Sequence, residues 1–194
     1  MTAETLEFVA REHRYFLGDR ELPSVTTILK DVGLIDTTFF TETARLRGEY
    51  VHLASHYVDD GDLAEDTVHE DYRPYLQAYE RFRALLEPTW EYVEHRVHDA
   101  VVGYAGTLDR AGRLNNGWRG VIDLKSGSVP PWVGPQTAAY RRCLPQPHTW
   151  KRAALQLKAD GSFAFVELTD RRDEAVFLAA LHVVQFKREQ GIAA

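Results

Sequence analysis

The chain has 194 residues, 44% of them hydrophobic and 27% charged, with a formal net charge of -6 at pH 7. That is enough for one domain with a full core. The acidic balance argues against a protein that coats nucleic acid through bulk charge, and the single cysteine, Cys143, excludes an internal disulfide and a thiolate zinc or iron–sulfur site. No apolar run approaches the roughly 20 residues that span a bilayer. The N-terminus carries early acids and no apolar stretch, so neither a membrane segment nor a secretory signal is expected, and a cytoplasmic location is the default.

In chain order, residues 6–17 and 20–22 read as the arms of a small hairpin across Gly18-Asp19, residue types that tolerate the turn. Ser24 is placed to cap a short helix, VTTILKDV, that Gly33 stops. A second helix is expected from Thr41 to Val58. Its Arg45, Glu49, His52 and His56 share one face, and Leu46, Tyr50, Val51, Ala54 and Val58 form an apolar side. The acid-rich stretch from Asp59 to Asp71 reads as a solvated linker. It leads to a helix from Tyr72 to Leu86, whose Tyr72, Tyr75, Leu76, Tyr79, Phe82 and Leu86 make a packing stripe; Pro88 ends it.

The hydrophobic period then changes to two. Strands are expected at 90–98, 101–109 and 118–124, the last two separated by the turn-rich AGRLNNG. The loop SGSVPPWVGP opens a helix from Pro135 to Cys143. Strands at 151–158 and 162–168 follow, joined by Ala159-Asp160-Gly161. A last helix, Arg171 to Arg188, is expected to bury Val176, Phe177, Ala180, Val183, Val184 and Phe186. This order predicts an α/β (α+β) fold: a central mixed β-sheet of about five strands flanked by helices. Residues 1–194 form one domain, with an N-terminal hairpin and helices over 1–88 and the core sheet and helices over 89–194.

The chemistry concentrates between Gly103 and Lys125. Asp109 falls near the end of one expected strand, and Asp123 and Lys125 lie on the next. Alternation along a strand points Asp123 and Lys125 to one side and Leu124 to the other. If the two strands pair, Asp109 approaches them from its neighbour. Two carboxylates can hold a hard divalent cation, and an ammonium beside them can steady an attacking water or the charge that develops on phosphorus. Burying Asp123 and Lys125 in the apolar strand VIDLK is costly without partners, which favours a functional role over a structural one.

GTLD followed by IDLK, then a helix carrying Gln136-x-x-x-Tyr140, resembles the PD-(D/E)XK nuclease superfamily, and within it the RecB-like and phage exonuclease branch. Arg47-Gly48-Glu49-Tyr50-Val51-His52 is similar to the G-x-x-x-H segment of that branch, and LPSVTTIL to the start of its small phage-encoded members. The resemblance implies a restriction-endonuclease-like core with an N-terminal helical extension. It implies Asp109 as the central metal ligand, Asp123 as a second ligand, and a contribution from the Leu124 carbonyl. His52 would complete the metal shell from its helix. Lys125 would orient or help deprotonate the attacking water, or balance charge on the phosphate. Gln136 and Tyr140 would brace the lysine or bind the substrate backbone. The metal would be one or two ions of Mg2+ or Mn2+, and the activity a deoxyribonuclease, of the exonuclease type that serves DNA recombination or repair. Leu108 stands where the family name has proline, and the cluster-binding cysteines and helicase portions of some relatives are missing.

Three residues have weaker readings. His56 could pair with His52 as H-x-x-x-H, although a third zinc ligand is then lacking. Glu94 reads as a surface strand acid, with a place beside the metal as the alternative, and Glu49 is read in the same way. A structure-specific endonuclease and a non-catalytic, nuclease-like DNA-binding accessory module remain alternative functions. A single-strand-binding or annealing protein is a conceivable partner that delivers DNA. Polarity, strand preference, DNA versus RNA and oligomeric state are left open.

Overall fold

The computed structural model describes residues 5–36, 38 and 41–192. Its first element is a small antiparallel sheet of β1 (Leu6–Val9), β2 (Arg14–Leu17) and β3 (Arg20–Leu22). The expected two-armed hairpin is corrected here. Its long arm folds back on itself at Ala10–His13, where His13 takes a left-handed φ of 51°. Helix α1 (Val25–Asp31) starts as expected, with the Ser24 hydroxyl accepting from the Thr27 N–H. A parallel bridge from Ser24 to Ala105 ties this segment to the main sheet.

Helix α2 (Glu42–Asp60) is capped by the Thr41 hydroxyl and ended by Gly61 at φ 75°. Leu46, expected on its apolar side, is exposed; the buried face is Val51, Ala54 and Ser55. Between α2 and α3 (Arg73–Leu86) the acidic stretch is mostly exposed and forms one 3-10 turn at Glu65–Thr67. Asp59 departs from the linker reading. It sits in the last turn of α2, and its side chain is almost wholly buried.

The main sheet has the order β4-β5-β6-β7-β8, built from β4 (Thr89–Asp99), β5 (Tyr104–Arg113), β6 (Arg119–Lys125), β7 (Lys151–Leu157) and β8 (Phe163–Glu167). All neighbours are antiparallel except β6 and β7, which are parallel and joined by the crossover helix α4 (Val133–Arg142). Parallel neighbours require such a crossover. The α/β fold with a five-stranded mixed sheet flanked by helices is therefore as expected. Helices α1, α4 and α5 (Asp173–Glu189) pack with Tyr104, Leu108 and Val121 on one face. Helices α2 and α3 pack with Ile122, Leu124 and Leu155 on the other. Both faces are thus covered, which accounts for the unbroken buried run along β6.

Several boundaries and one packing face move. Strand β5 runs to Arg113, so Asp109 lies in its interior and not near its end. Ala111-Gly112-Arg113 reads as turn by composition. Gly112 instead serves close approach of the bulged β4 backbone, since a side chain there would collide with the Thr89 carbonyl. Helix α4 starts at Val133, which places Pro135 within the first turn, where a missing N–H costs nothing. In α5 the buried face is Phe177, Ala180, Leu181 and Val184, while Val176, Val183 and Phe186 are exposed. Among the described residues no helix is long and apolar enough to cross a membrane.

Candidate functional site

The ladder between β5 and β6 pairs Arg113 with Arg119 and proceeds to Arg110 with Ile122, then stops. Beyond that point β6 keeps β7 as its partner through Lys125, and β5 keeps β4. The seam that opens is closed by a side chain. The Leu124 N–H donates to Asp109 Oδ2 at 2.7 Å, in place of a strand carbonyl. Asp109 Oδ1 is left facing away from that bond.

His52 reaches the same seam from α2. Its Nε2 lies 3.1 Å from the Leu124 carbonyl oxygen, which can only accept, so Nε2 carries the proton. Nδ1 then presents its lone pair toward Asp109 Oδ1 at 3.7 Å and Glu94 Oε1 at 3.9 Å. One donor atom from each of His52, Glu94 and Asp109 lies within 4.8 Å of the other two. Fixing an imidazole through its far N–H on a carbonyl is the arrangement that orients metal-ligating histidines.

Glu94 is not the surface acid of the simpler reading. It falls between the pairs Val93–Arg110 and His95–Leu108, and so faces Asp109 across the strands. Like charges set opposite one another destabilise a sheet. Its backbone takes a left-handed φ of 44°, a costly conformation for glutamate. Burial, then the charge of Asp109, raises its pKa, against the opposing pull of His52 and Arg110.

A buried network holds Glu94 in place. Arg110 is fully buried and donates to Glu94 Oε1 at 2.8 Å, to the Asp109 carbonyl at 2.7 Å and to Asp59 Oδ2 at 2.7 Å. Asp59 also accepts from the Tyr79 hydroxyl at 2.6 Å and from Trp90 Nε1 at 3.0 Å. Sequence reasoning missed this support. The signal was present in an arginine at the centre of an apolar strand, which cannot be buried without carboxylate partners.

Asp123 and Lys125 share the cavity but not the trio. Their side chains form an ion pair, and Lys125 Nζ also lies 5.1 Å from the centre of the Trp132 ring. Oδ2 of Asp123 meets that ammonium, while Oδ1 has no hydrogen-bond donor, although the carboxylate is buried. Burial pushes its pKa up to about 6; Lys125 opposes this and Asp109 adds to it. Glu94 thus joins His52 and Asp109, Asp123 lies beside them in the same cavity, and the Leu124 carbonyl accepts from His52.

From α4, Gln136 Nε2 donates to the Tyr140 hydroxyl at 3.3 Å, and Gln136 Oε1 is buried without a partner. Neither residue bonds to Lys125, but both line the cavity with it. The Tyr140 ring lies over Gly106, where an added Cβ would sit 2.7 Å from Cε1. Burial keeps the Tyr140 hydroxyl neutral. The Tyr15 hydroxyl, from the small sheet, meets Thr107 Oγ1 at 2.8 Å.

His52, Glu94, Asp109, Asp123, Lys125, Gln136 and Tyr140 thus line one cavity of about 240 Å³. Glu49 is exposed and paired with Arg45, and His56 lies beside Asp60 at 3.6 Å; neither joins it. Two carboxylates and one imidazole suit a hard or borderline divalent cation such as Mg2+ or Mn2+. Asp123 Oδ1 and Gln136 Oε1, both buried without a donor, point to missing polar company in the same place. A scan against protein-family models gives no match, and a search of curated proteins finds no relative.

Proposed function

We propose that this chain is a metal-dependent deoxyribonuclease of the PD-(D/E)XK kind, an exonuclease acting in DNA recombination or repair. The observation that supports it best is the convergence of the His52–Glu94–Asp109 trio with Lys125 in one cavity. Four separate elements supply these groups, and no packing requirement brings two opposed acids and an imidazole together.

The trio would hold one Mg2+ or Mn2+, which supplies Lewis-acid stabilisation and a lowered water pKa. Asp109 has two tasks on its two oxygens: Oδ1 faces the trio and Oδ2 fixes the Leu124 N–H. Lys125 sets a positive charge where negative charge develops on a scissile phosphate. Asp123 keeps that ammonium aimed into the cavity. Gln136 Oε1 offers an acceptor for a water proton, and Tyr140 holds the Gln136 amide in place. In the hydrolysis the water oxygen bonds to phosphorus, the bond from phosphorus to the 3′ oxygen breaks, and the water proton ends on solvent or the leaving oxygen.

The test is linear and covalently closed DNA incubated with the purified protein and Mg2+ or Mn2+. Linear DNA should be degraded and the closed circle spared. Asp109→Asn keeps an acceptor oxygen for Leu124 while removing the charge, and it should reduce cutting to background with the protein still folded. Full activity in Asp109→Asn would refute the assignment, and cleavage of the closed circle would move it to an endonuclease.

A further inference from the structure

A second cavity, of about 530 Å³, adjoins the first and shares His52 and Lys125 with it. It runs between the N-terminal half of α2 and the loop that joins β6 to α4, lined by Arg47, Gly48, Ser126, Gly127, Ser128 and Trp132 among others. We propose that this groove holds single-stranded DNA and leads it to Lys125. The inference rests on the nuclease reading for its choice of ligand, but its residues lie outside the trio.

Three observations support it. Arg47 and Arg45 differ in how they are held. Glu42 and Glu49 neutralise Arg45. Arg47 faces no carboxylate among the described residues; its Nε donates to Ser126 Oγ at 3.3 Å, and its guanidinium lies 5.5 Å from the Tyr75 ring centre. It is a cation on the groove wall that lacks an anion. Trp132 adds an aromatic surface at the seam between the cavities. A positive groove with an aromatic wall is how single strands are bound without reading sequence.

Gly48 is the third. Glycine inside a helix is unfavourable relative to alanine, and close packing is its usual justification. Here an added Cβ would meet nothing within 4 Å. No neighbour in the protein needs the space, but a ligand lying along α2 would. The groove's volume of about 530 Å³ is within the range of sites that enclose a small ligand, enough for a nucleotide or two.

The experiment measures anisotropy of a fluorescein-labelled oligothymidylate, with a blunt duplex as competitor, in an Asp109→Asn background. The single strand should bind more tightly than the duplex. Arg47→Gln and Trp132→Ala should each weaken binding about tenfold, the order of one lost base stack or phosphate contact. Gly48→Leu is the decisive variant: leucine favours helix, so the melting temperature should stay level or rise, yet binding should fall by a similar factor. Native-like binding by Gly48→Leu and Arg47→Gln would overturn the proposal, as would equal affinity for the duplex or no binding at all. Groove variants that bind and cleave normally would remove the groove and leave the nuclease reading in place. Groove-dependent binding by a native protein that never cleaves would do the reverse.

Discussion

Two polar clusters border α4, and they are built on opposite principles. Where β7 begins, Arg152 is nearly buried, yet its guanidinium donates to Asp173 at 2.6 Å, to the Gly134 carbonyl at 2.8 Å and to the Asp170 carbonyl at 2.8 Å. Beside it, Arg141 and Arg142 share Glu174, and Arg142 also takes Asp99. At the cavity, Glu94 faces Asp109, and neither Asp123 Oδ1 nor Gln136 Oε1 has a donor. The arginines of the first cluster each have a carboxylate partner, with Arg141 Nε the one buried donor left over, whereas the second sets two acids against each other. A cluster whose members satisfy one another stabilises the fold, and one left unsatisfied marks a place where something else binds.

That contrast can be broken by substitution. The largest effect is expected at the compensated end. Arg152→Met leaves Asp173 and two carbonyls without their donor and should cost about 3–5 kcal/mol in urea unfolding. The same variant should bind Mn2+ normally. A small stability loss with a large loss of metal binding would reverse the roles assigned to the two clusters.

A smaller effect is expected behind the cavity. Arg110→Lys keeps the buried charge but cannot span Glu94, Asp59 and the Asp109 carbonyl at once. Calorimetric titration with Mn2+ should show affinity lowered roughly 10- to 100-fold, as when the outer partner of a metal ligand is lost. Unchanged affinity would reduce Arg110 to a structural residue.

The smallest effects, shifts in melting temperature with pH, should have opposite signs at the two clusters. The Arg172 side chain, with its backbone N–H, lowers the Asp170 pKa to about 2. Its contribution is therefore present above the ordinary carboxylate range and lost as pH falls toward 2. Asp123 is raised to about 6, so its contribution is present below the ordinary range and lost as pH rises through 6. Without metal, stability should thus decline between pH 4 and about 6 on account of Asp123. Saturating Mg2+ should raise the melting temperature more at neutral pH than at pH 5. Glu94, whose pKa is also raised, acts in the same direction, so Asp123→Asn should reduce the metal-free decline without abolishing it; an unchanged decline would assign it to Glu94.

The parts legible in the sequence were those governed by local rules. The Ser24 cap, the helix that follows the strand carrying Lys125 and the alternation that sets Asp123 and Lys125 together follow from propensity and period. What escaped depends on long-range partners. Asp59 looks like one acid in a solvated run until Arg110, 51 residues later, buries it. Glu94 looks like a surface residue because its left-handed backbone, which re-aims the carboxylate, leaves no local signature. The α5 face was misread because Val176, Val183 and Phe186 are apolar on both flanks of the true contact stripe. Gly112 fell to a related ambiguity, since glycine marks a tight turn and a close strand approach alike.

The bond from the Leu124 amide to Asp109 Oδ2 has a consequence for how such a chain could change over time. The acid that faces the trio is also the stitch that fastens two diverging ribbons. A descendant that abandoned chemistry could discard Lys125 together with Asp123, its ion-pair partner, but discarding Asp109 would unpick a seam. Asparagine is the replacement that retires the charge and keeps the thread.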